Sequence, residues 1–180
     1  MTTLTLFAND SSTAISKISD CAEITRLLAE HQVMFRQCQP DQQSDSTQQD
    51  DVLTAWASTI DALNKKHNFQ TLDVMGIDPE HPQKDVMRDK FLHEHRHDDF
   101  EMRLFVSGNG VFYIHSRNQV LAVYCTKGDL ISVPANTTHW FDMGAEPKFT
   151  AVRFFTVAEG WVGHFTGNDI ASRYPLMEAL

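Results

Sequence analysis

The chain has 180 residues, 42% of them hydrophobic, which is one domain's worth of chain with enough apolar side chain for a single core. Its net charge of −9, from 15 Lys and Arg against 24 Asp and Glu, repels phosphate backbones and anionic lipid, so neither nucleic acid nor a membrane is an expected partner. No apolar run approaches the roughly 20 residues of a membrane helix, and Met1 to Asn9 lacks the basic start and apolar run of a secretion signal. Three scattered cysteines, Cys21, Cys38 and Cys125, form no CxxC pair and fit a reducing compartment, so a cytoplasmic protein without disulfides is expected.

In chain order, Leu4 to Phe7 alternates as a short strand, and Ser19 or Asp20 caps a helix through about Gln32, with Ile24, Leu27, Leu28 and His31 at helical spacing. Gln39 to Asp51 carries no apolar residue to bury and reads as a solvated loop. Asp50 or Asp51 then caps a second helix with Val52, Leu53, Trp56, Ile60 and Leu63 on one face, and Pro82 opens a third that runs to about Leu92. Residues 1–92 are therefore expected to be mainly helical, packing on a barrel formed by 93–157, with 158–180 as a C-terminal segment of one domain.

From His93 the period changes to that of strands: Glu101 to Val106, Val111 to His115, Val120 to Tyr124, Leu130 to Val133, His139 to Met143 and Phe149 to Thr156. Gly108-Asn109-Gly110, Ser116-Arg117-Asn118, Lys127-Gly128-Asp129 and Gly144-Ala145-Glu146-Pro147 supply turns between them. Consecutive antiparallel strands hide their edges by closing, so the expected fold is mainly β with flanking helices, a small double-stranded barrel followed by a short helix near Asp169 to Tyr174. No heptad or apolar strip argues for assembly, and a monomer is expected.

Of the nine His, three lie within five residues. Residues two apart in an extended chain point to one side, so His95 and His97 present two imidazoles to a common point, and Glu101 and Arg103 share their parity. A fourth ligand must come from a distant segment, and His139, after the Pro134-Ala135-Asn136-Thr137-Thr138 turn, is the candidate. Three imidazoles and a carboxylate without a thiolate suit Fe, Ni, Mn or Co, with positions left for water or substrate. His93 belongs to the surroundings of the site or to solvent, and His31, His67, His81, His115 and His164 have structural roles. Arg153 shares its strand parity with Phe149, Ala151 and Phe155; if buried it serves either a bound anion or an ion pair with Asp or Glu.

His95-x-His97-x3-Glu101-x6-Gly108 resembles the first cupin motif, and Gly128-x5-Pro134-x4-His139 the second. Asp89, Asn136 and Met143 depart from the general pattern, standing where cupins have Gly, Gly and Asn. The strings Lys90-Phe91-Leu92-His93-Glu94-His95, Asp129 to Ala135, His139-Trp140-Phe141-Asp142-Met143-Gly144 and Glu159-Gly160-Trp161 resemble bacterial acireductone dioxygenases over almost the whole chain. That resemblance implies a cupin double-stranded β-helix, the jelly-roll barrel, with one Fe2+ or Ni2+ on His95, His97, Glu101 and His139. It further implies methionine salvage chemistry: 1,2-dihydroxy-3-keto-5-methylthiopentene and dioxygen give formate and 2-keto-4-methylthiobutyrate with iron, or carbon monoxide, formate and 3-methylthiopropionate with nickel. Arg103 and Arg153 are then expected to serve the substrate dianion, and Phe91, Phe141 and Trp161 its methylthio tail.

Overall fold

The computed structural model describes residues 1–157 and 161–180, so Glu159 and Gly160 lie outside the described residues, as does the start of the C-terminal segment expected at 158. The elements are β1 (Thr3–Ala8), β2 (Ala14–Ile18), α1 (Cys21–Glu30), β3 (Met34–Gln37), α2 (Gln49–Ala55), α3 (Ala57–His67), β4 (Thr71–Ile77), α4 (Lys84–Phe91), β5 (His95–Arg96), β6 (Glu101–Ser116), β7 (Gln119–Thr126), β8 (Asp129–Val133), β9 (Thr138–Asp142), β10 (Phe149–Phe155) and β11 (His164–Phe165), then 3-10 turns at Ile170–Arg173 and Met177–Ala179. Two antiparallel layers share β6: one runs β11-β5-β9-β6-β7-β1-β2, the other β4-β10-β6-β8-β3. This is the double-stranded β-helix anticipated above. Among the described residues no helix is long and apolar enough to cross a membrane.

The strand β6 shows how two sheets become a barrel. The turn expected at Gly108-Asn109-Gly110 is instead a bend inside one continuous strand, whose first half pairs with β8 and β10 and whose second half pairs with β7 and β9. A register shift against β10 between Phe105 and Ser107 changes which parity faces inward: Phe105 before it, Phe112 and Ile114 after it, all join the interior cluster. Gly108, at φ +66°, makes the bend feasible, since a Cβ there would lie 1.7 Å from the Lys148 carbonyl oxygen.

The interior cluster fills the barrel with Phe105, Phe112, Phe141 and Phe149, and α1 adds Ile24 and Leu28 to it. A second cluster buries Trp56, Ile60 and Leu63 of the α2–α3 region against the outward residues Met102, Leu104 and Phe154. A third packs Ile170 and Tyr174 over Phe7, Tyr113 and Trp140. Asp20 caps α1 by accepting the Glu23 N–H at 2.8 Å, so Asp20→Ala is expected to cost about 1 kcal/mol, read as a lower denaturation midpoint with an unchanged slope.

The first half holds four helices, α1 to α4, and more strand than expected. It contributes β2, β3 and β4 besides β1, and the second helix breaks at Trp56 into α2 and α3, with Asp50 and Asp51 inside the first turn instead of capping it. In β3 only Phe35 is buried, and β4 holds Asp73 and Gly76, both poor strand formers, so neither announced itself by alternation. The helix expected from Pro82 starts at Lys84, and that near Asp169 to Tyr174 is a single 3-10 turn.

Candidate metal centre

Three strands deliver the four candidate ligand side chains. His95 on β5 lies directly opposite His139 on β9, and β9 pairs in turn with β6, which opens at Glu101. His97 follows β5 on the same side as His95, as alternation requires. Its carbonyl accepts the N–H of Asn136 at 2.8 Å, tying the segment to the turn before His139. Asn136 sits at φ +61°, which accounts for its departure from the cupin pattern: it occupies a left-handed position that suits Gly and that Asn tolerates. The candidate ligand atoms of His95, His97, Glu101 and His139 all fall within 4.8 Å of one another, and all four residues are buried.

The hydrogen bonds on the outer side of the rings decide what faces inward. His95 Nδ1 meets the His93 carbonyl at 2.8 Å, His139 Nδ1 the Thr137 carbonyl at 2.8 Å, and His97 Nδ1 the Val162 carbonyl at 2.8 Å. A carbonyl only accepts, so each Nδ1 carries the proton and each neutral ring presents an Nε2 lone pair. Glu101 Oε2 lies 3.0 Å from His97 Nε2 and 3.2 Å from His139 Nε2. Lone pairs facing a carboxylate at that range need a cation between them, and second-row partners that fix the tautomer are what metal-ligating imidazoles have. The donor set therefore fits a divalent transition metal.

Without one, protons substitute unevenly. Burial, then His139, pushes His95 down to about 4. Burial opposes protonation of His97 too, but its hydrogen bond to Glu101 and that carboxylate's charge raise it overall. Burial would raise Glu101, yet Arg103, His139 and His97 hold its carboxyl well below the usual range. The carboxylate thus stays ionised among groups that compete for it.

A cavity of about 180 Å3 adjoins the four ligands, and Arg103, Arg153, Phe91, Phe141 and Trp161 line it. Arg103 is 6% exposed; its Nε lies 2.6 Å from Glu101 Oε1 out of hydrogen-bond alignment, so Nε and Nη1 lack a hydrogen-bonded acceptor. The guanidinium is caged by the rings of Phe141 at 4.9 Å, Phe112 at 5.2 Å and Trp161 at 5.8 Å. Arg153, opposite Arg103 in the β6–β10 register, donates Nε and Nη2 to Asp73 at 2.8 and 2.6 Å. The ion pair expected as one of its roles is formed, and the residue also lines the cavity. Phe91 and Phe141 face each other at 6.4 Å, and Trp161 tilts over His97 at 5.9 Å.

Sequence reasoning missed several groups around this centre. The Val162 carbonyl that orients His97 and the Phe165 ring 5.6 Å from His95 come from the C-terminal segment, where no residue pattern marks them. Glu94 is buried beside His95, with Oε1 at 2.8 Å from His115 Nδ1 and Oε2 accepting from Thr166 at 2.7 Å. His93 contributes its backbone carbonyl, while its ring lies exposed with Nδ1 on the Asp89 carbonyl at 2.7 Å.

Comparison with known proteins agrees with this geometry. The model of the ARD/ARD' family matches residues 5–163. An acireductone dioxygenase of Marinobacter nauticus is 48% identical over 182 aligned positions, covering 100% of this chain and 98% of its own. One of Methylococcus capsulatus is 45% identical, covering 99% and 96%. Among solved structures, an acireductone dioxygenase from Bacillus anthracis with a cadmium ion in its active centre superposes with a TM-score of 0.80 at 24% identity, covering 92% of this chain and 98% of that one.

Proposed function

The chain belongs to the ARD/ARD' family, a metal-dependent dioxygenase acting on a small molecule and dioxygen, and from that premise we propose that its substrate is 1,2-dihydroxy-3-keto-5-methylthiopentene. We assign one Fe2+ or Ni2+ per chain to His95, His97, Glu101 and His139. The observation that carries the reading is the presentation of three Nε2 lone pairs and one ionised carboxylate to a cavity that also holds the buried guanidinium of Arg103, ion-paired with Glu101. A divalent cation bound there supplies Lewis acidity that favours the deprotonated enediol.

The remaining work falls to side chains. Arg103 offers its donors to the substrate's negative charge, and being fixed in place it needs no reorganisation as that charge develops. Arg153, paired with Asp73, lines the same cavity. Phe91, Phe141 and Trp161 take the methylthio tail and keep water from the reacting carbons. Both product sets contain every atom of substrate and dioxygen, so the reaction needs no external reductant. Formate and 2-keto-4-methylthiobutyrate arise with iron; carbon monoxide, formate and 3-methylthiopropionate arise with nickel. The four ligands do not select between them, since nickel binds such a site more tightly than ferrous iron and cellular supply then decides.

The test is reconstitution of metal-free protein with each ion, followed by dioxygen uptake and product identification. Carbon monoxide from the nickel form alone is the expected result. One product set from both ions would remove the metal-directed outcome, and uptake no faster than buffer with either would remove the substrate. We also read the protein as a cytoplasmic monomer, in keeping with its three free cysteines; a solution mass near 20.5 kDa is the check on the monomer.

A further inference from the structure

The helix α4 is attached to the barrel by little apolar surface. It has eight residues, none fully buried, and Val86 is 72% exposed. Met87 and Phe91 reach the interior cluster only in part. An isolated helix of this length is not stable in water, so its place depends on what it docks against. The pair of Lys84 with Glu146, whose side chain is 73% exposed, contributes little to docking.

Arg88 is different. Its Nε and Nη2 donate to the two oxygens of Asp142 at 2.8 and 3.1 Å, and Nη2 also donates to Glu178 at 3.0 Å. Asp142 is fully buried and accepts in addition the backbone N–H groups of Gly144 and Met177, each at 2.9 Å. This two-pronged, charge-assisted contact is strong and directional. It joins the helix carrying Lys90 and Phe91 to the strand carrying His139 and Phe141, and all four of these residues line the cavity. The guanidinium itself does not line the cavity.

We propose that Arg88 is a positioning residue which, through α4, holds Phe91 against Phe141 and so sets how well the enzyme recognises the apolar tail of its substrate. The inference rests on the reading above in which Phe91 meets that tail. It predicts an effect on one part of one substrate, whereas a purely structural ion pair would change all substrates alike.

Dioxygen uptake by the iron-loaded protein distinguishes the two, measured with the methylthio-bearing acireductone and with one truncated to a methyl ketone. Arg88→Met is expected to raise KM for the tailed substrate about tenfold, the size of a lost small apolar contact. Metal content, kcat and kcat/KM for the truncated compound should stay within about twofold. Phe91→Ala should raise KM for the tailed substrate by a similar factor, and the double variant should be no worse than Phe91→Ala alone, because both act through one ring. Arg88→Lys, which keeps the charge and loses the two-pronged geometry, should fall between and carries the test if Arg88→Met does not fold. Glu146→Gln, breaking the exposed pair on the same helix, should leave both constants unchanged. Equal losses for the two substrates, effects of Arg88→Met and Phe91→Ala that multiply, or an equal effect from Glu146→Gln would each overturn the proposal. Uptake with neither substrate by the wild-type protein would overturn the function assigned above, and this inference with it.

Discussion

Glu101→Gln is expected to abolish both metal retention and turnover. The substitution preserves volume and removes the only negative charge among the four ligands, leaving three neutral imidazoles whose orientation is still enforced by the carbonyls of His93, Thr137 and Val162. A neutral amide is a poor ligand for a divalent transition metal, and it can no longer balance Arg103, buried beside it at 2.6 Å. After dialysis, metal per chain should fall below about a tenth of wild type, and dioxygen uptake should fall by about 1,000-fold or more, toward the uncatalysed rate. Metal analysis and an oxygen electrode check the two results separately. A variant that kept a full complement of metal would remove Glu101 from the ligand set.

Arg103→Gln should leave the metal in place and still disable the enzyme. The four ligand residues are untouched, so metal content should remain near wild type. What is lost is a preorganised cation whose Nε and Nη1 have no hydrogen-bonded acceptor of their own. Loss of one such donor group where charge develops costs about 100- to 1,000-fold in turnover, and kcat/KM should fall by that amount. Arg103→Lys should restore little of it, because an ammonium neither fills the cage of Phe112, Phe141 and Trp161 nor offers a planar fork. A loss under about threefold with full metal content would leave the guanidinium a structural role only.

The candidate ligands were legible because alternation converts sequence spacing directly into direction: His95, His97 and Glu101 fall on one side of an extended chain, and their convergence required only that His139 lie on a neighbouring strand. The barrel half was legible for the same reason, down to strands such as Leu130 to Val133 that the structure extends by one residue. Other parts leave no such mark. The strand β4 is half exposed and contains Asp73 and Gly76, so the partner of Arg153 stayed hidden along with it. The bend at Gly108 looked like a turn because glycine serves both, and only the clash of a Cβ with Lys148 shows which was needed. The Val162 carbonyl belongs to the backbone, which every residue has, so no side-chain pattern could point to it.

That carbonyl has a consequence for how the centre is made. His97 is oriented by a group supplied 65 positions later, while His95 and His139 are each oriented from two positions before. The geometry of the centre therefore depends on the docking of the C-terminal segment as well as on the strands that carry the candidate ligands.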